Sequence, residues 1–219
     1  MEYSNIDGKF IFLHHTNIHL MNCNRYNQIF EERIKEYHKT DNIDQVFTSD
    51  YNEGSLDFLL DKKNHIDTVQ WHLEDIIREP SINPETALLI KRRIDKSNQD
   101  RTDLVELIDD WFFDTYKNDK PLPDAFIATE TPAWAVDRLS ILNLKIWHMR
   151  EETLRKDAKD DHIQKCMHKL NVLLQQKTDL TMALGHLFEN IKSGKAIIKT
   201  YKQMKMYNDP NLNPILRKS

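Results

Sequence analysis

Apolar residues recur along most of this chain at intervals of three and four, the spacing that lines up one face of an α-helix. The first such pattern sets Tyr26, Ile29, Phe30, Ile34 and Tyr37 on one face and predicts a helix from about Arg25 to His38, with Asn24 as its cap. A second runs from Ser55 to Arg78 through Leu59, Ile66, Val69, Leu73 and Ile76, closed by Pro80 and Pro84. The third, Pro84 to Tyr116, has legible signals: Asn83 to cap it, Pro84 at its first position and Glu85 in its first turn. A fourth, from Ala133 to about Arg155, is apolar nearly all round and should be central. A fifth starts from Asp160 or Asp161 and carries Ile163, Met167, Leu170, Leu174, Leu184, Leu187 and Ile191, long enough to form a hairpin with the fourth. Gly194 bends or ends it, and the basic segment Lys195 to Tyr207 is expected to continue as helix.

Between these patterns, residues 40–54 read as a polar connector, and Asn118 to Pro132 as a longer one with a short extended stretch at Phe126 to Ala128. Residues 1–20 fit the rest poorly: Lys9 to Leu13 reads as a short strand, followed by a histidine-rich stretch. They are expected to be an arm or a start-site extension before Met21. The division is then an arm over 1–20, a helical domain over 21–208 and a tail over 209–219, giving an all-α, single-domain antiparallel bundle of about five helices. Only 4 glycines stand among 219 residues, far below the ordinary share of roughly 7%. Strands, tight turns and phosphate loops lean on glycine, so its scarcity reinforces the helical reading.

Charge changes the picture only at one end. The net charge of -4 argues against general nucleic-acid binding. Yet Lys192, Lys195, Lys199, Lys202, Lys205, Arg217 and Lys218 face a single acid, Asp209, in the last stretch, a basic arm suited to a protein partner or an acidic surface. No apolar run approaches the ~18 residues of a membrane span. Cys23 and Cys166 lack CxxC spacing, and no export signal precedes the helices, which together suit a reducing cytoplasm.

Candidate chemistry enters where an apolar stripe breaks. In the third helix the face of Ala87, Ile90 and Ile94 should continue through positions that hold Ser97, Asn98 and Arg101, flanked by Asp95, Asp100 and Asp103. Buried polar groups must be paired or line a cavity, so this stretch is either an ion-pair network or a pocket. Asp137, in the otherwise apolar fourth helix, is expected to reach Arg101 or a nearby cation; Lys145 or Arg93 would serve equally. The second helix offers His65 and His72 two turns apart, with Asp67, Trp71 and Glu74 on another line. Neither HExxH nor paired ExxH spacing occurs, so no metal site is assigned. Nucleotide and hydrolase signatures are absent, and a diphosphate hydrolase holding magnesium through ExxE and ExxD is matched only by Glu106 to Asp109.

The strings DTVQWHLEDIIR (Asp67 to Arg78), KRRIDKSNQDRTDLVELID (Lys91 to Asp109), PAWAVDRLSILNLKIWHM (Pro132 to Met149) and YKQMKMYNDP with NLNP (Tyr201 to Pro214) resemble the bacterial domain-of-unknown-function 4254 family from about Asn24 to Pro214. That resemblance implies no activity and only a context, genes for cell-surface glycan synthesis. The reading drawn from residues and context together is a pocket for an anionic sugar phosphate or nucleotide sugar. Arg101 and Arg138 would grip the anion, Asn98 would line the pocket, and Trp71 or Trp134 would stack on the ligand. His72, Glu74, Asp95 and Asp137 would orient groups or move protons. A non-catalytic module that docks through its helices and basic arm is the alternative from another class. Neither a cofactor nor an oligomeric state is specified by the residues.

Overall fold

A computed structural model describes residues 4–6, 9–11, 16–204 and 209–218. Five helices make the body: α1 (Thr16–Tyr37), α2 (Leu56–Ile77), α3 (Pro84–Tyr116), α4 (Pro132–Thr153) and α5 (Asp160–Lys192). A small hairpin of β1 (Ser4–Ile6) and β2 (Lys9–Ile11) precedes them, and β3 (Phe126–Ile127) pairs in parallel with β4 (Ala196–Ile197).

The helix starts follow local chemistry. Ser55 Oγ accepts from the Phe58 N–H, and Asn83 Oδ1 accepts from the Glu85 and Thr86 N–H groups, with Pro84 where a missing N–H does no harm. Thr131 does the same for Trp134 at the head of α4. The first and last helices depart from expectation. α1 begins at Thr16, so Asn24 lies inside it and caps nothing, and the helix runs unbroken through Met21. At the head of α5, Lys159 is the cap residue and makes no side-chain bond, while Asp160 and Asp161 sit in the first turn, where their charge complements the helix dipole. Leu13 and the histidines at 14 and 15 lie outside the described residues.

Helix directions follow from which residues meet. Arg25 bonds Asp57, Arg33 bonds Asp61, and Tyr37 stacks on His72, so α1 and α2 run parallel, with residues 38–55 returning between them. From α2 onward the chain alternates: Gln70 meets Asn98, Asp109 meets Ala133, and Glu152 meets His162. Three helices, α1, α2 and α4, therefore point the same way, against α3 and α5. α4 is central as predicted, burying Ala133, Val136, Leu139, Leu142, Leu144 and Ile146. The main core joins Ala133, Val136 and Leu139 of α4 to Ile29 and Phe30 of α1, Leu104 and Ile108 of α3, and Leu184 and Phe188 of α5, while Leu73, Ile90 and Ile94 form a smaller cluster at the other end.

Over its described residues, 195–204, the basic segment after α5 is not helical. Ser193 caps the helix, Gly194 adopts φ +74°, and the chain turns into β4. Gly194 O accepts from Leu122 N–H at 2.8 Å and Lys195 O from Phe126 N–H at 2.9 Å, so the segment is stitched to the connector between α3 and α4. Beyond it, Lys202 Nζ donates to both Asp110 carboxylate oxygens at 3.1 and 3.0 Å, which lays this part of the basic arm on acids of its own chain. Lys205 and Tyr207 lie outside the described residues.

Candidate functional site

A charge network fills the space where α2, α3 and α4 meet. Arg101 donates to Asp137 through Nε (2.9 Å) and Nη2 (2.6 Å), a forked pair, and its Nε also lies 3.6 Å from Asp67. Lys63, with 0% of its side chain exposed, reaches Asp67 and lies 2.8 Å from Asp137. Ser140 donates to Asp67 at 2.6 Å and accepts from Asn64 at 3.0 Å. Burial raises the Asp67 pKa above the ordinary carboxylate range against the opposing pull of Lys63. Burial pushes Asp137 the same way, but Lys63 and Arg101 win and hold it below that range. One carboxylate of the network therefore keeps its charge firmly while its neighbour holds a proton more readily.

Arg101 is the member that reaches solvent, with 26% of its side chain exposed. It opens into a cleft of 310 Å³ lined by Asp67, Gln70, Trp71, Glu74, Asp75, Arg78, Ile141 and Leu144. Of the residues singled out from sequence, Asp67, Trp71, Glu74 and Arg101 share this cleft, with Asp137 bonded to the guanidinium. Ser97 and Asn98 bond the Gln70 side chain at 3.1 and 2.8 Å and so steady the wall from α3.

Four candidates are placed elsewhere. Asp95 pairs with Lys91 on the exposed side of α3, one helical turn apart. Arg138 is exposed and bonds Glu130 at 2.5 Å, because a residue next to inward-facing Asp137 must point away from it. The two-arginine clamp is therefore not assembled. Trp134 packs on the main core rather than the cleft. His72 joins a different cluster, described next. The ExxD pair is split as well: buried Asp109 accepts from Thr131 Oγ1 and the Ala133 N–H at the start of α4, while Glu106 accepts from the Gln203 N–H on the surface.

Beside the cleft, three imidazoles converge. His38 follows the last residue of α1, and His72 and His148 lie in the final two turns of α2 and α4. Because those three helices are parallel, their C-terminal ends meet. One ring nitrogen from each histidine lies within 4.8 Å of the other two, so the trio is a donor set that could hold a metal ion. The His38 ring is 5.3 Å from those of both His72 and His148. Tyr37 stacks on His72, Trp71 lies flat on His148 with centroids 4.8 Å apart, and Trp147 sits 4.9 Å from His38. His148 also lines a second cleft, of 520 Å³, with Trp71, Lys145, His168 and Lys169, so Trp71 forms the partition between the two. Burial lowers the pKa of His72 and of His148. His65 is buried against Phe47 and Tyr37, and burial takes its pKa down to about 4. A second group, Glu152, His162 and Cys166, lies at the junction of α4 and α5.

Sequence spacing missed the trio because its members come from three helices with no fixed offset. Lys63 was missed for another reason: a lysine within an amphipathic helix reads as solvated. The family model described as "Protein of unknown function (DUF4254)" matches residues 57–200. No curated protein and no solved structure matches the chain.

Proposed function

The chain belongs to the DUF4254 family of proteins of unknown function, and from that premise we propose that the cleft at Arg101 binds a small polyhydroxylated ligand of the sugar type. The observation that carries this reading is a buried network of two cations and two carboxylates that reaches solvent through one guanidinium, at the wall of a cleft. Buried charges are a poor way to stabilise a bundle, since apolar residues of equal volume do as well or better. A network retained at a cleft is more economically explained by what it holds there.

The lining argues for hydroxyls rather than a bare anion. Asp67, Glu74 and Asp75 outnumber Arg78 and Arg101 in the cleft, and Arg101 is already answered by Asp137. Carboxylates, the Gln70 amide and guanidinium edges together accept from and donate to hydroxyl groups. Trp71, Ile141 and Leu144 offer an apolar surface for the C–H face of a pyranose ring. A sugar nucleotide fits this reading with its sugar in the cleft and its phosphates at the rim, near Arg78. The glycan context implied by the family resemblance points the same way.

A thermal-shift panel of free sugars, sugar phosphates, sugar nucleotides and inorganic phosphate tests the reading, because a ligand that binds the native state alone raises the melting temperature. A sugar-bearing compound should raise it, inorganic phosphate should not, and Trp71→Ala or Glu74→Gln should abolish the rise. If phosphate alone shifts the chain, or no sugar-bearing compound does, the reading is wrong.

A further inference from the structure

We propose that His38, His72 and His148 form a binding site for a divalent transition metal of the zinc type, independent of the ligand proposed for the neighbouring cleft. The Nε2 atoms of all three rings are buried and have no hydrogen-bond partner. Buried polar atoms are almost always paired, so three such atoms in one cluster call for a shared partner. Hydrogen bonds on the opposite side of two rings fix which nitrogen is free. His38 Nδ1 lies 2.7 Å from the Ile34 carbonyl, and His148 Nδ1 lies 2.8 Å from a Glu151 carboxylate oxygen. A carbonyl can only accept, and a carboxylate accepts best, so both Nδ1 atoms carry the proton and both Nε2 atoms present a lone pair. An imidazole backed in this way by a carbonyl or carboxylate is the usual arrangement of a metal-ligating histidine.

The surroundings favour a cation. The C-terminal ends of α1, α2 and α4 converge here, and each brings the negative end of a helix dipole. Asp41 holds φ +48°, a conformation uncommon for a side chain other than glycine, and its carboxylate lies 3.6 Å from His72 Nε2. Zinc–imidazole bonds of about 2.0–2.1 Å put neighbouring nitrogens roughly 3.4 Å apart in a tetrahedral site. The observed 4.8 Å limit closes to that by side-chain rotations of about an ångström. Three neutral nitrogen donors suit zinc, cobalt, nickel or copper, whereas magnesium and calcium demand oxygen.

The second group is a weaker claimant for the same ion. His162 Nε2 is already engaged by Glu152 at 2.8 Å and by Cys166 Sγ at 3.4 Å, and Glu152 also accepts from Arg155. A test must nonetheless separate the two, and sulfur does so.

The metal alone is the probe. Full-length chain stripped with chelator is titrated with Zn²⁺ and with Co²⁺ by calorimetry, and the zinc-loaded protein is examined by X-ray absorption at the zinc edge. One equivalent should bind, with imidazole scattering and no sulfur in the first shell. His72→Ala and His148→Ala should each weaken binding by more than the roughly 10- to 100-fold expected for losing an outer partner, and Glu151→Gln should fall within that range. Cys166→Ser, and His186→Ala on the exposed face of α5, should bind as the parent does. Circular dichroism of the metal-free variants guards against misfolding, and the absorption spectrum of the parent needs no variant at all. Failure of the parent to bind one equivalent, a sulfur scatterer, or binding lost in Cys166→Ser but kept in the histidine variants overturns the proposal.

Discussion

Lys63 is the residue whose loss should be felt most. Its ammonium sits between Asp67 and Asp137 with no exposed side-chain surface, so Lys63→Met leaves two buried carboxylates to share Arg101. Removing one partner from a buried pair costs about 3–5 kcal/mol, and urea unfolding should show a loss of that size. Adding Asp67→Asn should recover part of it, since the charge left over is then removed; no recovery would mean that packing, not charge, sets the cost. His65 makes a second prediction. Its pKa falls from 6.5 unfolded to about 4 folded, so between these values the unfolded chain binds a proton that the native chain refuses. Stability should therefore rise with pH from about 4 to 6.5 and be fully present above, a term of the order of 3 kcal/mol. His72 and His148 are lowered in the same direction. His65→Gln should flatten the dependence of melting temperature on pH in that interval, and an unchanged slope would discard the assignment. At this scale the sequence was readable where a polar residue broke an apolar stripe, as Arg101 did. It was silent where a charged or titratable side chain sits in an unremarkable place and its partner lies on another helix, as with Lys63 and the three imidazoles.

Helix starts were legible at α2 and α3, where a cap acts within three residues of its own position, and misread at α1 and α5, where Asn24 and Asp160 or Asp161 are not the caps. Ser55 and Asn83 make the bonds that their spacing implies. The segment after α5 was misread because its fate is decided from a distance: β4 forms only by pairing with β3, some seventy positions earlier in the chain. Gly194 is the hinge of that arrangement. A Cβ placed there would lie 2.5 Å from the Lys120 carbonyl oxygen, and the residue holds φ +74°. Gly194→Ala should destabilise the chain by at least ~1 kcal/mol, through strain at a left-handed position and the displaced connector. Amide exchange should show early opening at Leu122 and Phe126, whose N–H groups bond Gly194 and Lys195. Protection unchanged at those two amides would show that the pairing does not depend on the glycine.

As a whole the bundle is wider than the family match. That match begins at residue 57, inside α2, yet α1 supplies Ile29, Phe30, Ile34 and Tyr37 to the interior, each at most 1% exposed. Each such side chain is worth about 2–5 kcal/mol when truncated, against a total stability of about 5–15 kcal/mol for a domain. A chain beginning at residue 57 should therefore show no cooperative unfolding transition and should bind a hydrophobic dye; a sharp melt would show that α2 to α5 suffice. The all-α class followed from apolar period and glycine scarcity. The parallel course of α1 and α2 did not, since nothing local fixes the route of an eighteen-residue connector (38–55). The stacking of Trp71 on His148, with Trp147 against His38, has an optical consequence. An excited indole in contact with a cationic imidazole loses its energy without light, and an open-shell ion nearby drains it further. Two of the four tryptophans thus watch the convergence of three helix ends. The emission of the untouched protein should dim as the His148 ring takes up a proton, darken with cobalt or copper, and stay bright with closed-shell zinc.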